Sequence, residues 1–239
     1  MERYVQKITR KLLTVLVLYL LLSAQLFSQT PSVVRNIRLP LWAELDAYPG
    51  LELSKGNDDK GNEGQFDFPV SQMHKIAPLI INGMVYGWNF VYVPYDKARG
   101  VEEVLEITEI VPADVIRGGI KYSSPWISDN NLNCWVEYTR TDSQVQSYNL
   151  WASIQNPVIG GIGYGPVEKG FEGIEEAVRE SLKAAIRNHY RKTIKNKPKQ
   201  ITGSVLIRKF PTLGIDSGRY VINLDFFLEC GKILEYSVY

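Results

Sequence analysis

Apolar residues along this chain are arranged in three ways: one unbroken run, several alternating runs, and one run at helical spacing. The unbroken run is Leu12 to Leu22, interrupted only by Thr14 and Tyr19. As a helix it would span about 16 Å at ~1.5 Å per residue, against a bilayer core of ~30 Å. Extending it to Phe27 gives about 24 Å, still short of a span. Alternation is clearest from Met84. Met84, Tyr86, Trp88, Phe90 and Tyr92 fall on one face, and Val85, Gly87, Asn89, Val91 and Val93 on the other. This predicts a strand. Pro94-Tyr95-Asp96 ends it, and Val101–Val111 is expected to return as its antiparallel partner. Further strands are predicted near Val115–Tyr122 and Leu132–Thr139. In the latter, Leu132, Cys134, Val136 and Tyr138 share one face, and Asn133, Trp135, Glu137 and Thr139 the other. Ser123–Asn131, between them, has turn composition although it carries Trp126.

Helical spacing appears at Phe171, Ile174, Val178, Leu182, Ala185, His189 and Ile194, one side of a long helix. Glutamates crowd its first half, while Arg187, Arg191, Lys192 and Lys195 crowd its last turns, which complements the helix dipole. A shorter helix is predicted from Pro69 to about Ile76, limited by Pro78. Another runs through Trp151 with Asp142 as its cap. Val158–Tyr164 reads as a glycine-rich strand. A meander then follows Pro198: a strand over Thr202–Phe210, a turn at Ile215–Gly218, a strand over Arg219–Glu229, a tight turn at Cys230-Gly231 and a last strand over Lys232–Tyr239. Leu41–Tyr48 fits a helical turn or an edge strand equally. Ser54–Gln65 is nearly all polar and reads as an exposed loop; its acids lack EF-hand spacing. Together these elements predict an α+β fold: two layers, a mainly antiparallel sheet with one long helix of the C-terminal half packed across it. Residues 29–239 are expected to form a single domain, with a seam conceivable near 156–165.

The unbroken run takes its meaning from its flanks. Arg3, Lys7, Arg10 and Lys11 precede it, and Ser23–Gln29 follows with small and polar residues. That is the layout of a signal peptide over 1–28, cleaved after Ser28, with Ala24 as the alternative site and an uncleaved anchor as the rival reading. Cleavage would remove four basic residues and one acidic residue, taking the formal charge from +1 to −2. That is no nucleic-acid footprint. Export also changes the meaning of the cysteines: Cys134 and Cys230 can pair in an oxidising compartment, or remain as two thiols.

Candidate chemistry is sparse. His74 and His189 are the only histidines, and no HExxH, CxxC or GxSxG occurs. No catalytic residue, metal ligand or cofactor is therefore assigned. In Ile159–Gly165 the pattern GxGxxG fails at Pro166, so the glycines read as sites of close chain approach. The basic stretch Arg187–Lys199 reads as a solvated helix end. A carboxylate-only hydrolase needs no local motif and stays open as an outsider. The aromatic supply is more suggestive: Trp88, Tyr92, Trp126 and Trp135 form the candidate binding patch, if one strand face stays exposed.

Four phrases carry a resemblance: RLPLWAELDAYPG (38–50), VYVPYDKARGVEE (91–103), GPVEKGFEGIEEAVRESLKAAIRNHYRK (165–192) and GRYVINLDFFLE (218–229). With them the chain resembles uncharacterised exported proteins of spirochaetes. The resemblance implies a periplasmic setting and no established activity, and it transfers no site residue. The leading expectation is a non-enzymatic periplasmic or envelope protein that contacts other proteins, with no membrane span left after cleavage. The alternative is a small-ligand or glycan-binding module with an aromatic cleft between helix and sheet.

Overall fold

The computed structural model describes residues 35–46 and 66–236; the signal segment, the polar stretch 54–65 and residues 237–239 lie outside the described residues. In chain order the elements are β1 (Asn36–Glu44), α1 (Asp67–Val85), β2 (Trp88–Val93), β3 (Val104–Glu109), α2 (Asp114–Arg117), β4 (Lys121–Ser128) and β5 (Asn131–Thr139). Then come α3 (Asp142–Trp151), β6 (Val158–Pro166), α4 (Phe171–Thr193), β7 (Gln200–Ile207), β8 (Thr212–Asp216) and β9 (Arg219–Leu234). The strands form two sheets. A small one has the order β1-β5-β4, and a large one β3-β2-β7-β9-β6, with β8 also paired to β9. Every strand pair is antiparallel. The fold is thus α+β, with α4 lying across β6 and β9 as the helical spacing predicts.

Between the sheets lies α1, touching β1 and β5 on one side and β7 on the other. Its Met73, Ile76, Ile80, Ile81, Met84 and Val85 are all buried. Burial on so many sides explains two departures from expectation. The helix continues through Pro78 to Val85, because the apolar contact of its last two turns outweighs the hydrogen bond that proline cannot donate. The alternating run therefore starts late: Met84 and Val85 end the helix, the chain turns at Gly87 with φ +77°, and only Trp88–Val93 is strand. A fully buried helix end and a strand look alike in hydropathy.

The glycines of β6 serve close approach. Gly161, Gly163 and Gly165 lie against Ser181, Ala177 and Gly173, spaced four residues apart along α4. A Cβ on Gly163 would sit 2.0 Å from the Ala177 carbonyl oxygen, so helix and strand meet backbone to backbone. The Ser181 hydroxyl donates to the Gly161 carbonyl at 2.8 Å across this seam. Residues 158–166 pair along their length with β9, within the compact unit that begins at Asn36.

Three local expectations need correction. The strand predicted over Val115–Tyr122 is instead the short α2 followed by β4, which runs on through Trp126 to Ser128. Its tight turn is Asp129-Asn130, both at positive φ as a two-residue hairpin loop requires. The cap of α3 is Thr141 and not Asp142: the Thr141 side chain accepts from the Gln144 N–H, and Gln144 returns the bond. Finally, Cys230-Gly231 is no turn. β9 continues to Leu234, and one extra residue forms a bulge where Ile201 opposes Ile233 and Gly203 opposes Cys230. The undecided stretch at Leu41 belongs to β1, whose Pro40 is tolerated because β1 is an edge strand.

Candidate functional site

The four aromatic residues of the expected patch divide between the sheets. Trp88 and Tyr92 are 2% and 3% exposed and belong to the core of the large sheet. Trp88 packs against Gly83 of α1 and has its ring centroid 6.4 Å from that of Phe226. Neither contributes to an exposed aromatic patch. Trp126 is 39% exposed, and Trp135 is half-buried beside it, with ring centroids 6.1 Å apart. Both lie on the face of the small sheet turned away from α1.

That face is built by register. Along β5, Leu132, Cys134, Val136 and Tyr138 are buried towards α1, so Asn133, Trp135 and Glu137 look outward. Strand pairing then sets three rows across the sheet: Trp42–Asn133–Trp126, Pro40–Trp135–Ser123, and Arg38–Glu137–Lys121. Two rows are aromatic-rich, and the third is charged. A β-bulge between Ser123 and Trp126, where Ser124 takes φ +49°, sets Trp126 opposite Asn133. The Arg38 guanidinium lies 4.4 Å from the Trp135 ring centre and pairs with Glu137 at 3.1 Å. Trp42, absent from the expected set, donates its indole N–H to the Leu213 carbonyl at 3.2 Å. At the same end of β1 the Tyr220 hydroxyl of β9 donates to Glu44 at 3.0 Å, so the large sheet touches this edge, while no described helix packs across the face.

A second region is concave. Between β2 and the last turns of α4 lies a cleft of about 580 Å³, lined by Tyr92, Glu103, Arg187 and Tyr190 among others. Glu103 accepts from the Tyr92 hydroxyl at 2.6 Å and from Arg187 Nε at 2.7 Å, and the Arg187 fork closes a second bond on its other oxygen. Burial works against the Glu103 charge, but the bonds from Arg187 and Tyr92 win and hold its carboxyl below the ordinary range. Burial and the adjacent carboxylate together raise Tyr92, so it stays a neutral phenol. Glu103 is the one carboxylate of this lining among the described residues.

A protein-family model matches residues 25–236. A similar protein of Treponema pallidum (strain Nichols), described as uncharacterized, is 27% identical over 211 residues, covering 85% of this chain and 83% of its own length. The chain belongs to an uncharacterised spirochaete family. No solved structure matches it.

For this spirochaete family member, three residues of the cleft escaped the sequence reading. Glu103 and Arg187 are 84 positions apart, and Arg187 alone looks like ordinary dipole complement. Tyr190 is buried where the helical pattern favours its neighbour His189, which is only half-buried. The cysteines do not pair. Cys134 lies buried in the small sheet, 3.5 Å from the Met73 sulfur, whereas Cys230 is exposed on the bulge of the large sheet. Burial pushes the Cys134 thiol up to about 11, which leaves it unreactive at neutral pH. Among the described residues no helix is long and apolar enough to cross a membrane.

Proposed function

We propose that this protein is exported and works in the periplasm or cell envelope by binding another protein, without catalysis of its own. The observation that carries the reading is the outward face of the small sheet, where Trp42, Trp126 and Trp135 gather around Pro40 and Asn133 beside a charged row. Aromatic residues with arginine at the edge are the composition of interface anchors, and a flat face suits a protein partner better than a small molecule. Export rests on the signal-peptide layout of residues 1–28 and cleavage near Ser28.

A photo-crosslinking residue placed at position 126 tests the docking face in intact spirochaete cells. It is compared with the same probe at Leu150, an exposed position of α3 on the large-sheet side. A discrete adduct from position 126 alone is the expected result. Equal labelling from both positions, or none from either, rejects the face. Finding the chain in the cytosolic fraction with Met1 still attached rejects export.

A further inference from the structure

We infer that the cleft between β2 and the end of α4 is a second binding site, separate from the tryptophan face, for a small soluble ligand bearing phosphate on a flat apolar body. Its volume of about 580 Å³ lies within the ~300–1,000 Å³ typical of small-molecule sites. Charge gives the ligand its sign. The only acid in the lining among the described residues, Glu103, is already neutralised by Arg187. Arg191, Lys195 and Lys197 line the same cavity; Lys197 is drawn towards the Asp96 carboxylate, whereas Arg191 and Lys195 make no ion pair among the described residues. Arg191 and Lys195, with Lys197 shared with Asp96, give the space an excess of positive charge that suits a dianion.

A helix C-terminus attracts cations for its own reasons, and this accounts for Arg191 in the last turn. It does not account for the cavity, and Lys197, four residues beyond the helix end at Thr193, is shared between that space and Asp96. The walls supply the rest of the ligand. Pro198 and Ile201 are buried there, and Tyr95 keeps a half-exposed ring for stacking. Tyr190 also lines the cleft. It is 6% exposed, and its hydroxyl has the weakly hydrogen-bonding Cys230 thiol beside it and no oxygen or nitrogen partner among the described residues. A buried hydroxyl in that position is suited to a ligand oxygen or to a water that the ligand displaces.

The test uses protein purified from cells expressing the full chain and two dyes that differ by one charge. 1-Anilinonaphthalene-8-sulfonate is the anionic probe, and N-phenyl-1-naphthylamine is its uncharged counterpart. The anionic dye is expected to bind saturably and about tenfold tighter than the neutral one. Phenyl phosphate should displace it. The triple variant Arg191→Glu, Lys195→Glu, Lys197→Glu, all at exposed positions, should keep its thermal midpoint and lose that binding. Trp126→Ala should bind the dye as wild type does, which separates this site from the docking face. The inference is overturned by no saturable binding, by equal affinity for the two dyes, or by an unaffected triple variant. Displacement by phosphatidylglycerol vesicles but not by phenyl phosphate overturns the assignment to a soluble ligand.

Discussion

In the large sheet Trp88 lies under a helix with Gly83 against its ring, while in the small sheet Trp126 and Trp135 lie on a face that no described helix covers. Trp88 and Trp135 come from strands with the same alternation, so alternation alone reports that two faces exist and says nothing of what covers either. Coverage is a property of topology. Helices α1 and α4 both lie on the inner face of the large sheet, and α1 also serves the inner face of the small one. The small sheet's other face has no described helix across it and touches the large sheet at the end of β1, through Trp42 and Glu44.

The largest test of this contrast is Trp88→Ala. Removing a fully buried ring should cost about 3–5 kcal/mol, read as a lowered midpoint in urea at unchanged slope. A midpoint equal to wild type would mean that Trp88 is not core, and the distinction between the two sheets would collapse.

Next in size comes the glycine seam that lets α4 lie so close to the large sheet. Gly163→Ala places a methyl 2.0 Å from the Ala177 carbonyl, and no rotamer can relieve a clash between backbones. A loss of about 3 kcal/mol, the upper end for overpacking, is expected. Gly160→Ala is the control on the other face of the same strand. There the added methyl meets only the Asp225 carboxylate end, which can swing aside, and the change should stay within about 0.5 kcal/mol. Equal losses from the two variants would show that strand conformation, and not the helix contact, is what these glycines provide.

The legibility of the fold follows the same logic. α4, β2 and β5 could be read directly because each has one covered face and one open one, so hydropathy carries their period. α1 could not, since burial on nearly all sides erases the helical period and leaves Pro78 as a misleading stop. Trp126 sat within a stretch of Ser, Pro, Asp and Asn that resembles a loop, and only its pairing with β5 reveals β4 as a bulged edge strand. The cleft was least legible. Glu103 and Arg187 meet because the residue just before β3 and the last turns of α4 border the same cavity, a fact with no local signature in either segment.

A smaller effect concerns that pair. Glu103→Gln removes the charge from a partly exposed ion pair, so about 1 kcal/mol is expected, well below the cost of breaking a fully buried one. The pH dependence is more telling. The folded Glu103 carboxyl sits below its ordinary 4.5, so its contribution is complete above that pH and is lost as the pH falls through the lowered value. His189 acts in the same direction but earlier. Burial and then Lys192 hold it below 6.5, so its penalty begins as the pH drops past 6.5. Stability measured against pH should therefore keep its His189 limb in Glu103→Gln and lose much of the drop below 4.5. An unchanged acid limb would mean that the Arg187 fork does not hold Glu103 in solution.

The smallest expected effect is the one on which the docking face depends. Trp126→Ala removes a ring that is already 39% exposed and whose main neighbour, Trp135, is itself only half-buried. Such a side chain contributes little to folding, and the loss should stay within about 1 kcal/mol. That is a small fraction of the Trp88 effect for the same chemical change. If the urea midpoint instead falls as far as in Trp88→Ala, the ring is held under a cover outside the described residues, and the small sheet has two protected faces like the large one. A small loss of stability, coupled with a lost crosslink at the neighbouring Trp135 position, would locate the protein's recognition chemistry on a face that no described helix covers.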